Sequence, residues 1–187
     1  MKIAVLAKKG GVGKSAVSVL LYEAFRQAGK TVFIDDWDSQ GTSSKAMSRI
    51  DGQISAADRR NVDITILDTP PSLEHTATAT AVRNADIVLV VTTPAPVDIW
   101  EAEEAVQFAR AKNSKALIRV AVNKYRERTL LGRVLTDNLK DIKAPYLPIM
   151  LTTRECYQHV FALGWKALDS AAREEVLQFA VSLLSLK

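Results

Sequence analysis

The sequence predicts an α/β fold: a mostly parallel, twisted β-sheet flanked by helices on both faces. Three observations predict it. Short apolar runs alternate with longer amphipathic stretches along the whole chain. The runs are apolar at consecutive positions, the pattern of strands buried on both faces. Glycine-rich or acidic turns directly follow several of the runs, on the rim where such sheets hold their ligands. Strands joined through helices imply right-handed crossovers, which bring those turns together although they are distant in sequence.

The elements follow in order. Lys2–Ala7 is a short apolar strand ending in a glycine-rich turn. Ser15–Ala28 carries Val19, Leu20, Ala24 and Phe25 at helical spacing, with Gly29 as a stop signal. Thr31–Asp35 and Asp63–Leu67 read as the second and third strands, the latter followed by Asp68-Thr69-Pro70-Pro71. Asp86–Thr92 is a fourth, nearly all Val, Ile and Leu, and Lys115–Val122 a fifth. Tyr146–Met150 reads as a short sixth. Helical patterns cover Glu74–Asn84, Val97–Lys112, Leu130–Lys140, Arg154–Leu163 and Ala171–Leu186. With 187 residues and no repeat, low-complexity tract or linker, one domain over residues 1–187 is expected, without a separate DNA-binding domain.

Composition narrows the function classes. Hydrophobic residues are 48% and charged residues 25%, a soluble balance. No run approaches the roughly 20 apolar residues of a membrane span. Met1-Lys2 leads straight into a strand with no signal-like segment, so a cytoplasmic location is expected. Cys156 is the single cysteine, which excludes an internal disulfide and a cysteine-based metal cage. His75 and His159 are far apart and make a poor metal pair. A net charge of +4 permits an acidic partner such as DNA without establishing one.

The chemistry concentrates in Lys9-Gly10-Gly11-Val12-Gly13-Lys14-Ser15, between the first strand and first helix. Gly13-Lys14-Ser15 fits the end of the phosphate-loop pattern G-x-x-x-x-G-K-[ST], but its first glycine falls on Lys8. Glycines at 10, 11 and 13 still allow successive backbone N–H groups to point at phosphate oxygens. The helix starting near Lys14 adds its positive end. These residues predict ATP binding, with Lys14 between the β- and γ-phosphates and Ser15 on Mg²⁺.

This loop resembles the deviant Walker A box of the ParA/MinD ATPases. Val32–Gly41 is similar to that family's second box, I-D-x-D-P-Q-G, and Asp63–Ser72 resembles its Walker B segment, D-x-x-x-x-D-x-P-P-S. Thr93-Pro94-Ala95-Pro96-Val97-Asp98 is similar to the small single-domain plasmid-partition members. The resemblance covers most of residues 1–165 and implies a P-loop NTPase architecture. It implies that Lys9 is a signature lysine reaching across a nucleotide-sandwich homodimer, while Lys8 is an ordinary solvated lysine. It implies a nucleotide site of Lys9, Gly10, Gly11, Val12, Gly13, Lys14, Ser15 and Ala16. Lys9, Lys14 and Asp38 are its catalytic candidates, Asp38 by positioning the attacking water. Ser15, Asp36 and Asp68 are the candidates for the Mg²⁺ side, with Asp68 holding a metal-bound water. Asp35 is the weakest of the acidic cluster. Three departures stand out: Ser39 in place of proline, Ala16 after Ser15, and a 45–61 stretch short for an extra strand and helix.

Asn123-Lys124 follows the fifth strand on the same rim. Asn123 is expected either to read the adenine edge or to cap the following turn. Arg119, Lys124, Arg126, Arg128, Arg133, Lys140 and Lys143, then Arg154, Lys166 and Arg173, form a basic region. The resemblance implies non-specific nucleoid DNA binding by the ATP dimer and a ParB-type or other stimulating partner, for segregation of a plasmid, chromosome or protein cargo. A solvated face is the alternative for any single cation. The last helix, Ala171–Lys187, has Glu174 and Glu175 on its polar side and is expected to pack on the body, which argues against a membrane partner. Trp100 and Trp165 are expected to pack, and Trp37 to report nucleotide state. The competing readings are a membrane-surface positioning ATPase of the MinD kind, a small-molecule kinase, for which no arginine-rich lid is seen, and a nucleotide-binding regulator with little turnover.

Overall fold

The computed structural model describes residues 1–50 and 61–185. The elements run β1 (Lys2–Leu6), α1 (Lys14–Gln27), β2 (Val32–Asp36), α2 (Thr42–Ile50), β3 (Ile64–Asp68), α3 (Thr76–Asn84), β4 (Ile87–Thr92), α4 (Pro96–Lys112), β5 (Leu117–Val122), α5 (Leu130–Leu139), α6 (Cys156–Leu163), a short 3-10 helix (Gly164–Ala167) and α7 (Ser170–Ser185). The five strands form one sheet in the order β2-β3-β1-β4-β5. Every neighbouring pair is parallel. The α/β expectation holds, and the sheet is wholly rather than mostly parallel.

Strand register explains the continuous apolar runs. Ala4 sits beside Leu67 on one side and Val88 on the other, so β1 is central. Ile3 and Val5 belong to a core shared with α1, α6 and α7. Ala4 and Leu6 belong to a second core against α3, α4 and α5. Both faces of β1 and β4 are therefore sealed, and alternation would leave a polar side chain in one of the cores. The chain leaves β1 toward β2 and later leaves β3 toward β4. The carboxyl ends of β1 and β3 thus lie at a switch of direction, where a crevice opens.

Two expectations need correction. Tyr146–Met150 is not a sixth strand. Tyr146 makes only an isolated parallel bridge to Val120. Leu147 N–H donates to Val120 O at 2.8 Å, but the next donor to β5 is Leu151, to Val122 O at 2.9 Å. Pro148 has no N–H, and the chain bulges around it. The 45–61 stretch begins within α2. Ser43, Ala46 and Met47 form its buried side, and Asp36 Oδ2 accepts its Ser44 N–H at 2.9 Å. The remainder of that stretch, 51–60, lies outside the described residues. Finally, Trp100 does not pack: it is 62% exposed on α4. Trp165 does, against the first core, with the Arg173 guanidinium over its ring. The last helix packs on the body as expected, burying Val176, Phe179, Ala180 and Leu183.

Candidate functional site

The glycine loop leaves β1 and enters α1 through Gly13, at φ +95°. This is left-handed backbone that suits glycine. A Cβ there would also run into the Asn123 amide nitrogen. No side chain caps the α1 N-terminus, so its first N–H groups stay available to an anion. Val12 tucks its side chain into the core and anchors the loop from below.

Two side chains from the end of β5 hold the loop from outside. Asn123 Nδ2 donates to Val12 O at 2.9 Å, and Lys124 Nζ donates to Gly11 O at 2.6 Å. Peptide planarity puts each N–H opposite its own carbonyl. Drawing the Gly11 and Val12 carbonyls toward β5 therefore turns the Val12 and Gly13 N–H groups the other way. Lys124 reaches this position from φ +57°, the one left-handed non-glycine residue described. Of the two roles expected of Asn123, neither is the one its donor plays: the nitrogen braces the loop. The residue also lines a cavity.

That cavity holds about 370 Å³. One end is Gly10, Gly11, Gly13, Lys14, Ser15 and Ala16. The other is Thr152, Thr153, Arg154, Tyr157, Gln158 and Phe161, with Asp38 and Pro71 at the side. Lys14 is 7% exposed, and burial lowers its pKa against the opposing pull of Asp68 and Asp38. An incoming polyphosphate would restore the counter-charge that water no longer supplies.

Asp68 is 1% exposed at the end of β3. Burial pushes its carboxyl up to about 6, while the neighbouring Ser15 and Ser43 hydroxyls draw it down. Both hydroxyls lie near, but neither makes a well-formed hydrogen bond to an Asp68 oxygen, and no other described residue does. An orphaned carboxylate beside Ser15 fits a hydrated Mg²⁺ ion, which needs acceptors for its waters. Ser43, fully buried with its own Oγ unpartnered, joins this group. No motif singles it out, because only the packing of α2 brings it to Asp68.

Asp36 is different. Its Oδ1 accepts Asp38 N–H at 3.1 Å and its Oδ2 accepts Ser44 N–H. It builds the turn and holds the start of α2. Asp38 is half-buried and lines the cavity, its Oδ1 also accepting Gln40 N–H at 3.1 Å. Asp35 points away, into a separate hollow with Phe33 and Trp37. Strand alternation puts it on the opposite face from Asp36.

Lys9 lies beside the loop with its ammonium 2.6 Å from Asp98 and 3.3 Å from Glu101, both on α4. Thr93 Oγ1 donates to Asp98 Oδ2 and steadies it. Lys8 pairs instead with Glu104 at 2.7 Å, so it is not simply solvated. The basic region divides. Arg126, Arg128, Arg133, Lys140, Lys143 and Lys166 are exposed. Arg154 turns inward to Glu175, Arg119 is half-buried, and Arg173 covers Trp165. The resemblance implies that residues after Met150 flank the base, but the sequence singles out none of those at 152–161. The polar residues of this wall come from a segment without a motif, and only the fold sets them opposite the loop.

Comparison with known proteins agrees with this geometry. The chain is 22% identical to the Maintenance of carboxysome distribution protein A of Halothiobacillus neapolitanus, covering 91% of this chain and 88% of that protein. Its fold superposes on the Cyanothece McdA–ATP complex with a TM-score of 0.78 at 12% identity, covering 100% of this chain and 96% of the other. It superposes on MinD with Mg-ADP from Pyrococcus horikoshii with a TM-score of 0.75 at 14% identity, covering 99% and 97%. The model of the CobQ/CobB/MinD/ParA nucleotide binding domain matches residues 3–159. With a glycine loop braced from β5, an uncapped α1 and a buried Lys14 beside Asp68, the chain belongs to the CobQ/CobB/MinD/ParA nucleotide-binding family.

Proposed function

We propose that this chain is a ParA-type positioning ATPase that binds ATP and Mg²⁺, pairs into a nucleotide-sandwich homodimer and holds DNA without sequence preference. Hydrolysis, stimulated by a partner protein, then releases the DNA. The observation that carries this reading is the continuous cavity from the glycine loop to the 152–161 wall. Backbone N–H groups of the loop and the Lys14 ammonium would cradle the phosphates. Ser15 Oγ would ligate Mg²⁺ directly and Asp68 would hold water of its shell, the ion supplying charge between the phosphate oxygens. Asp38, on the cavity wall, would orient the attacking water.

Lys9 links ATP to pairing. In the single chain its ammonium is satisfied by Asp98 and Glu101. In a face-to-face dimer it would exchange these carboxylates for the partner's phosphates, offsetting the charge that two nucleotides bring together. The exposed Arg126, Arg128, Arg133, Lys140 and Lys143 would contact DNA phosphates, so retention should fall steeply with salt. The name of the Halothiobacillus relative favours a protein assembly over a plasmid as cargo. No helix among the described residues is long and apolar enough to cross a membrane.

The test is chain mass and DNA retention with ADP, ATP and a non-hydrolysed ATP analogue. The wild type should double in mass and retain DNA with ATP or the analogue, and not with ADP. Lys9→Ala should bind ATP but stay single and release DNA. A single chain in every state, with no DNA retention, would sink the reading. A second reading, a regulator with little turnover, is favoured by Ser39 replacing proline beside Asp38 and by the Asp38 carboxylate already holding Gln40 N–H. ATP-driven pairing without phosphate release, even with a stimulating partner, would support it.

A further inference from the structure

Glu175 lies on α7 and does not line the nucleotide cavity, yet four donors from the cavity wall converge on it. Thr152 N–H donates to Oε1 at 2.7 Å, and Thr152 Oγ1 lies 2.8 Å from Oε2. Tyr157 O–H donates to Oε1 at 2.7 Å, and Arg154 Nη2 donates to Oε2 at 3.2 Å. The Glu175 side chain is only 13% exposed. Thr152, Arg154 and Tyr157 all line the end of the cavity opposite the glycine loop.

We infer that Glu175 is the positioning residue for the base end of the nucleotide site, acting through Thr152, Arg154 and Tyr157; this rests on the reading of the cavity as an ATP site. The physical case is one of order. Residues 152–154 belong to no helix or strand of the sheet, and Thr153 N–H is tied by backbone to Tyr125 O at 2.9 Å. Glu175 supplies the missing rigidity with charge-assisted hydrogen bonds, the stronger kind. Burial and the Glu175 carboxylate together hold the Tyr157 hydroxyl well above its ordinary pKa, so it remains a donor.

The same helix braces the other end. Val176, Phe179, Ala180 and Leu183 of α7 share a core with Val17, Leu20 and Leu21 of α1, the helix that the glycine loop enters. One rigid element thus sets the distance between the phosphate cradle and the base wall. A carboxylate at 175 acts on the base end alone, because α7 reaches α1 through apolar contacts.

The test separates the two ends by ligand. Tripolyphosphate engages only the cradle, whereas ATP and ADP engage both. In Glu175→Gln, one acceptor oxygen becomes an NH₂ facing other donors. ATP and ADP affinities should each fall about tenfold, while tripolyphosphate affinity stays within about twofold. The preference for ATP over GTP should shrink in parallel. Tyr157→Phe, which removes one donor and keeps the ring, should move ATP affinity the same way by about threefold. It also decides the matter should Glu175→Gln fail to fold. Equal losses for ATP and tripolyphosphate, or no loss for either, would overturn the inference. Wild-type protein that binds neither ligand would instead overturn the ATP reading beneath it.

Discussion

The two ends of the cavity are built by different means. The phosphate end is mostly backbone: a glycine loop, a helix N-terminus, and carbonyls pulled outward by Asn123 and Lys124. Its few side chains, Lys14 and Asp68, are deeply buried. The base end is side chains on an irregular segment, held by one glutamate from a helix far along the chain. Backbone construction demands particular residue types at fixed spacing, because only glycine tolerates the conformation. Side-chain construction demands only that donors meet an acceptor, which many sequences achieve.

Four changes would break or sharpen that contrast. Lys14→Ala should have the largest effect. Removing the buried ammonium should weaken ATP binding by roughly 100-fold or more, a few kcal/mol, measured by calorimetric titration. The ligand-free melting temperature should hold or rise, because burial already opposes the charged lysine. A chain that binds ATP normally without Lys14 would place the phosphates elsewhere.

Asp68→Asn comes next and is read through pH. The folded carboxyl sits at about 6 against an ordinary 3.8. A raised folded pKa means that the stability this group allows is fully present below about pH 3.8 and is lost as pH rises through 6. The shift corresponds to roughly 3 kcal/mol, an upper figure. In urea denaturation without ligand, the variant should match wild type near pH 4. It should become the more stable chain by pH 7, by on the order of 2–3 kcal/mol. A gap that does not change with pH would remove Asp68 as the cause.

Gly13→Ala should cost about 2 kcal/mol of stability and most of the nucleotide affinity, from left-handed strain plus the clash with Asn123. Pairing it with Asn123→Ala relieves the clash but not the strain. The double variant should therefore recover part of the stability by chemical denaturation. Additive losses would show that the amide does not press on the loop. The smallest effect belongs to Lys9→Ala. Its pair with Asp98 and Glu101 is half-exposed, so the denaturation midpoint should hardly move, while ATP-driven pairing is lost.

The fold was legible because physical demands on buried parallel strands leave a plain trace. Leu89, Val90 and Val91 cannot be other than apolar with helices on both sides. Where local and tertiary preferences disagreed, the sequence misled. Tyr146–Met150 has strand composition, but Pro148 breaks its ladder to β5. Trp100 has the composition of a core residue and the position of a surface one. Arg154 reads as part of a basic face, yet Glu175 draws it inward across 21 positions.

The sequence by itself determined the phosphate cradle, since Gly13, Lys14 and Ser15 carry conformation and chemistry in adjacent positions. It also determined the sheet, since hydrophobic runs and turns are local signals. Only the tertiary structure decided which carboxylate is taken up by backbone N–H groups and which is not. Asp36 and Asp68 end neighbouring strands in register. One is spent on backbone N–H groups and the other left bare beside Ser15. It alone brought residues 152–157 opposite the loop and placed Glu175 behind them. Such meetings depend on how separate helices pack, and packing leaves no mark at fixed spacing along the chain.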